Sequence, residues 1–411
     1  NFISQEIQDD LTVIKNIPDE KFRMPSVGIC RSGRYATLTP NEIKLLRSIR
    51  FDHYRIDLHL YENGWQFTAD DLCMELPDLG YRTEFALFFD DRIHQQINNF
   101  IDWYSRCQLS PTHILFYHKS RPSTPDELAN EVIPLLRKVS PDVKIATGTN
   151  ANFAEINRNR PGETGNDCIC YAIHPQEHAS DNLTLVENLQ AQYYSVTSAQ
   201  KFAGNRKIFI SPVNIQRRFN ANTSFVELPW SGPGLPPQAD SRMMSLFGAC
   251  WTAISIKYLC QAGADSLTYY ETAGERGIFQ GESDPKWPTE FPSEKGMIYP
   301  SFHVFRFLLG NKQLNFVKCT SSRPLVADCL ALSDGKQGHM LLVNFTGNKQ
   351  KIKLECWSGL IRLRSLCSDS FAEAASDNRW TGINNEKIIK AQEIFEIEPL
   401  SLNFIEGWLK H

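Results

Sequence analysis

The sequence predicts a (β/α)₈ TIM barrel followed by a C-terminal antiparallel, β-sandwich-like domain. Three observations predict it. Eight short apolar runs rich in β-branched and aromatic residues recur along the first two-thirds of the chain. Segments with helical periodicity and N-terminal capping signals separate them. After about Asn311 the beat changes to short strand-like runs divided by Gly, Asn, Ser and Asp. The domains expected are therefore a linker segment over 1–24, the barrel over 25–310 and a β domain over 311–411.

The strand runs begin at Ser26 (SVGIC), His53 (HYRIDL), Thr83 (TEFALFF), Thr112 (THILFY), Val143 (VKIATG), Asp167 (DCICYAI), Lys207 (KIFISPV) and Asp265 (DSLTYY). The first five lie about 30 residues apart, the length of one strand–helix unit. Between them, Thr39-Pro40-Asn41-Glu42 and Thr124-Pro125-Asp126-Glu127 both read as capping boxes with Pro at the first helical position. Leu185, Val186, Leu189, Tyr193 and Val196 recur at helical spacing up to a stop at Gly204, and Pro134 should kink its helix. The turn after the first strand, Arg31-Ser32-Gly33-Arg34, is no glycine-rich phosphate loop, which favours a closed barrel over an open doubly wound sheet. Long connections at 216–239 and 272–300 follow strands, on the face where barrels place their chemistry. In the last hundred residues, strands are expected at 325–332, 339–345, 350–357, 361–366 and 400–405. Asp334-Gly335 and Gly347-Asn348 supply hairpin signals there.

Composition bounds the function. The chain has 411 residues, 42% hydrophobic and 22% charged, with net charge −4, as in an ordinary globular protein with a sizeable core. No basic stripe suits a nucleic-acid partner, and Arg217-Arg218 reads as a solvated loop pair. No apolar run is long enough for a membrane span, and the polar, acidic start is unlike a signal peptide. The sequence opens without Met, as a piece of a longer polypeptide would. Eleven scattered cysteines, several in apolar stretches, read as reduced thiols of a cytoplasmic protein. No serine-nucleophile elbow and no phosphate-binding lysine loop is present. Nothing calls for a cofactor, and the oligomeric state is left open.

Barrel chemistry comes from strand C-terminal ends, and those positions are rich in carboxylates, histidines, amides and aromatics, the groups a polyhydroxylated ligand needs. Glu155 and Glu271, after the fifth and eighth strands, are the candidate catalytic carboxylates. Their three-strand separation matches that of retaining glycosidases of the large barrel clan, although that clan's acid/base Glu directly follows Asn, whereas Asn152 stands three residues before Glu155. The alternative for Glu155 is a helix-start carboxylate paired with Arg158 or Arg160. His174, at the end of the sixth strand, is the third catalytic candidate, as a general base, a general acid or an oxyanion donor. The alternative is a packed imidazole. Arg31, Asp57, Asn150, Asn152, His178, Tyr270 and Trp230 are candidates for substrate binding. His174 and His178 have a metal-like spacing, but Pro175 breaks a helix between them and no third ligand follows, so no metal site is expected.

The segments TGTNANFAEINRNRP (147–161), AIHPQEHA (172–179), ISPV (210–213) and TYYET (268–272) resemble the D-apionate lactonase family. The resemblance covers the barrel and the following β domain; members of that family tend to carry a further N-terminal domain. It implies hydrolysis of D-apionolactone to D-apionate in the breakdown of the branched sugar apiose. It carries over no catalytic residues. A sugar lactone has a flat carbon at the anomeric position, like the transition state of glycoside cleavage, so a glycosidase-like barrel suits it. Three readings follow: lactone hydrolase, glycoside hydrolase with two barrel glutamates, and non-catalytic carbohydrate-binding barrel. In each the partner is a small sugar or sugar lactone.

Overall fold

The computed structural model describes residues 10–33, 37–107, 109, 111–219, 230 and 232–410. After strand β1 (Leu11–Phe22) come eight strands: β2 (Ser26–Cys30), β3 (His53–His59), β4 (Arg82–Phe89), β5 (Pro111–His118), β6 (Lys144–Gly148), β7 (Cys168–Ile173), β8 (Lys207–Val213) and β9 (Ser266–Glu271). All eight pair in parallel with their sequence neighbours, and β9 pairs back onto β2 to close a barrel. Each expected run starts within one residue of its strand.

The helices follow the local signals in most places. Thr39 and Glu42 form the reciprocal capping box that opens helix Pro40–Arg47. Asp181 caps helix Asn182–Ala203, and Gly204, at φ +62°, ends it. The second expected box does not form. Thr124 is buried between β5 and β6, where its hydroxyl donates to Phe116 O (2.7 Å) and Gly148 O (3.1 Å). Helix Asp126–Val139 therefore starts without a side-chain cap and keeps Pro134 inside it.

The C-terminal strands are β10 (Asn315–Ser321), β11 (Ala327–Ser333), β12 (Gln337–Asn344), β13 (Gln350–Glu355), β14 (Trp357–Leu366), β15 (Lys387–Lys390), β16 (Phe395–Ile397) and β17 (Ser401–Leu409). With β1 they form one nine-stranded sheet, antiparallel except where β1 runs parallel to β13. The segment expected as linker is thus partly a strand held between β10 and β13. Its buried face carries Thr12 and Asn16 beside Ile14, which hides the apolar alternation of a strand, and Asn16 Oδ1 accepts from Trp357 Nε1 at 2.8 Å. Asp334-Gly335 does join the β11–β12 hairpin, whereas Gly347-Asn348 leads to β13, which pairs with β1 and β16 instead of β12.

Period-2 alternation gives this sheet two jobs. Leu330, Leu332, Leu341 and Val343 join the barrel's core, while Cys329, Ala331, Met340 and Leu342 build a second core with Trp357 and Ile361. Helix Leu246–Gln261 lies at the seam. Its Lys257 Nζ meets Asp328 Oδ1 of β11 at 2.6 Å, with both side chains buried, and Tyr258 donates to Oδ2 at 3.1 Å.

Candidate active site

Strand β3 supplies the site's foundation. Its apolar Tyr54, Ile56 and Leu58 belong to the core shared with the helices, so His53, Arg55, Asp57 and His59 alternate onto the opposite face. Arg55 is buried and has a partner at every nitrogen: Asp57 Oδ1 at Nε (2.8 Å), Ser211 Oγ at Nη1 (2.8 Å) and Asn150 Oδ1 at Nη2 (2.9 Å). Ser211 in turn donates to Glu84 Oε1 at 2.6 Å, and Thr268 donates to the same oxygen at 3.2 Å. Burial alone would raise the Glu84 pKa, but His53 and His113 beside it bring it down to about 2.

A bulge on β9 aims the second carboxylate. Ile29 pairs with Tyr269 but Cys30 pairs with Glu271, and the skipped Tyr270 takes φ +41°. Tyr270 therefore points into the helix layer, its hydroxyl 2.7 Å from Thr252 Oγ1, and is a packing residue there and not a wall of the mouth. Glu271 turns inward. Its Oε2 accepts from Ser32 Oγ at 3.1 Å, and its Oε1 lies 2.8 Å from Arg276 Nη2 and 3.3 Å from Arg218 Nη2.

Arg218 joins the two strands. The Nη2 that faces Glu271 also donates to Asp57 Oδ2 at 3.2 Å, so the carboxylates of β3 and β9 meet across one guanidinium. Its other terminal nitrogen, Nη1, is buried and has no acceptor among the described residues. Burial would push the Asp57 carboxyl up, but Arg55 and Arg218 hold it below the usual range. Aromatic surface stands nearby: the His59 ring stacks on Phe88 with centroids 4.7 Å apart, and Tyr117 tilts against Phe88. Arg31 is turned aside, its Nη2 3.6 Å from Glu75 Oε1.

A second cluster lies beside the first. His174, Glu177, His178 and Asn152 line a cavity of about 540 Å³ bordered by helix Asn182–Ala203. Asn152 caps helix Phe153–Arg158 through Oδ1 and donates to Glu177 Oε1 at 3.0 Å. The same oxygen lies 3.3 Å from His174 Nε2. Burial lowers the His174 pKa against the opposing pull of Glu177, leaving a neutral imidazole at neutral pH. Arg217 reaches Glu177 (4.0 Å) while Arg218 reaches the mouth, so adjacent arginines touch both clusters. Arg218 is thus no solvated loop charge.

Glu155 does not join Glu271. It sits in the first turn of its short helix, and its ion pair is with Arg158 at 3.0 Å, the helix-start arrangement. The carboxylate that Glu271 meets is Asp57. Trp230 is partly exposed and donates from Nε1 to Gly234 O within its own loop; residues 220–229 and 231 lie outside the described residues. Among the described residues, no three His, Cys, Asp or Glu side chains form a metal-sized group. Sequence reading confined to strand ends missed Arg55, Glu84 and Ser211, which lie within strands. The signal was present in HYRIDLH, whose polar residues alternate onto one face of an otherwise apolar strand.

Comparison with known proteins fits this architecture. A family model described as the D-apionate lactonase TIM barrel domain matches residues 27–313. A D-apionate lactonase from Brucella anthropi is 26% identical over 226 residues, covering 54% of this chain and 35% of that protein, so the chain spans about a third of its length. Among solved structures, a family 51 α-L-arabinofuranosidase from Bifidobacterium longum superposes with TM-score 0.63 at 9% identity, covering 96% of this chain and 99% of that one. CelM2, a bifunctional glucanase-xylanase from a metagenome library, gives TM-score 0.60 at 9% identity, covering 97% and 99%. At such identities these neighbours show the fold alone. By the match over its barrel, the chain belongs to the D-apionate lactonase family.

Proposed function

We propose that the chain is a hydrolase that opens a sugar-derived lactone, D-apionolactone, to its hydroxy acid, D-apionate, in the barrel mouth. The observation that carries this is the single guanidinium of Arg218 shared by Asp57 and Glu271, with a buried N–H at Nη1 that has no acceptor among the described residues. Family membership supports the substrate class.

Ester hydrolysis needs a base for water and a donor for the tetrahedral oxyanion. In this reading Glu271 takes a proton from water as the oxygen attacks the lactone carbonyl, and Arg218 Nη1 donates to the oxyanion. Collapse breaks the bond to the ring oxygen, and Glu271 returns the proton to that leaving alkoxide. Asn150 and Asp57, fixed by Arg55, orient substrate hydroxyls, while Phe88 and His59 offer a face to its C–H surface. His174, neutral and next to Glu177, is the second candidate base, from the side cavity.

A glycoside hydrolase needs one carboxyl kept protonated as the acid. Here Asp57 is held ionised by Arg55 and Arg218, which disfavours that role for it. Eleven unpaired thiols, most of them buried, suit work in a reducing compartment. The test is a pH-indicator assay over D-apionolactone, other aldonolactones and nitrophenyl glycosides. Acid release from D-apionolactone with no nitrophenol supports the lactonase. Nitrophenol release without lactone opening establishes the glycosidase, and saturable sugar binding without turnover establishes a non-catalytic barrel.

A further inference from the structure

The barrel's opposite end holds a second cavity, of about 540 Å³, between the β1–β2 connection and the N-terminal ends of the barrel strands. That size is within the roughly 300–1,000 Å³ of ordinary small-molecule pockets. Five cations stand around it: Lys21, Arg23, Arg82, Lys144 and Lys207. Two carboxylates line it as well, and both have structural work. Asp52 accepts from Val27 N at 3.0 Å and pairs with Lys312, and Asp265 accepts from Ile208 N at 3.0 Å. Lys144 reaches Asp167 only at 3.9 Å, and Asp167 is already bonded to Arg137 at 2.5 Å. Lys21, Arg23, Arg82 and Lys207 form no ion pair among the described residues.

One polar group of the lining points the same way. Ser266 is 2% exposed, and its Oγ has no hydrogen-bond partner among the described residues. A buried hydroxyl left unpaired costs free energy that a bound oxyanion would recover. Clustered cations within a concave wall raise the local concentration of anions.

We infer that this N-terminal cup binds a small polyanion, a molecule carrying a phosphate or several carboxylates, at a site separate from the barrel mouth. The cations meet its oxygens at the rim, and Ser266 donates from the floor. The site does not depend on the lactonase reading, since none of its residues belongs to the Asp57–Arg218–Glu271 network.

Isothermal titration at low ionic strength tests it, using inorganic phosphate, pyrophosphate and citrate as separate probes. Saturable one-to-one binding of at least one probe is expected, with phosphate-bearing and carboxylate ligands told apart by which one binds. The double variant Arg82→Ala/Lys207→Ala, changed only at exposed positions, should bind at least ten-fold more weakly. Lys349→Ala, on the β domain, should bind as the parent does. Absence of saturable binding by all three probes, or equal affinity in parent and double variant, overturns the inference.

Discussion

Replacing Arg218 with glutamine separates its two roles. The guanidinium lies 3.2 Å from Asp57 and 3.3 Å from Glu271, and its Nη1, without an acceptor among the described residues, is the proposed oxyanion donor. Loss of one such donor typically costs about 3–4 kcal/mol of transition-state stabilisation, so kcat on D-apionolactone should fall by roughly 10²–10³. KM should move less, because the oxyanion exists only after attack. Stability should fall too, though by less than the ~3–5 kcal/mol of a fully orphaned buried charge. Asp57 keeps Arg55 at 2.8 Å and Glu271 keeps Arg276 at 2.8 Å. About 2–3 kcal/mol is the expected loss, read from urea unfolding. The pH response gives a third signature. In the parent the Asp57 pKa is depressed by folding, so its stabilisation is complete above the unfolded value and fades as pH falls through the folded one. Without Arg218 that contribution should be smaller, and its loss should be complete at a higher pH. Lysine at the position should restore part of kcat, having charge but no fork geometry. A glutamine variant with parental kcat would refute the donor assignment outright, whatever its stability.

Glu84→Gln should flatten the acid loss of stability: the parent's Glu84 contribution is present above the ordinary carboxyl pKa and disappears as pH falls toward about 2, a dependence that denaturant titrations across that window would resolve. Lys257→Ala leaves Asp328 buried without its cation and should cost about 3–5 kcal/mol, whereas Lys257→Met/Asp328→Leu should recover most of it in the same unfolding assay. Asp181→Ala removes the cap from Thr184 N and should cost about 1 kcal/mol, seen as a lower denaturation midpoint with an unchanged slope.

The barrel was legible because its strands are buried on both faces and broken by turns and caps, so runs such as TEFALFF and THILFY declare themselves without their neighbours. Strand β1 was not, because its buried face uses Thr12 and Asn16, and the partner that Asn16 meets there, Trp357, lies 341 positions away. The site divides similarly. Glu271, Asp57 and Asn150 stand at strand ends and could be named from position. Arg218 could not, since its meaning lies in Asp57, 161 residues earlier, and a pair of arginines in a polar loop has no local pattern. Glu155 misled for a complementary reason: a carboxylate just after a strand is also the preferred first-turn residue of the helix that follows. Tyr270 turned outward through a one-residue bulge, and no sequence period reveals such a shift.

Side-by-side turnover of D-apionolactone by Glu271→Gln and Glu155→Gln bears most directly on whether the chemistry resides in the charge network of the mouth. The account predicts that the first loses at least two orders of magnitude in kcat while the second works at nearly the parent's rate. Near-parental turnover by Glu271→Gln, or collapse of activity in Glu155→Gln with its fold intact, would contradict it.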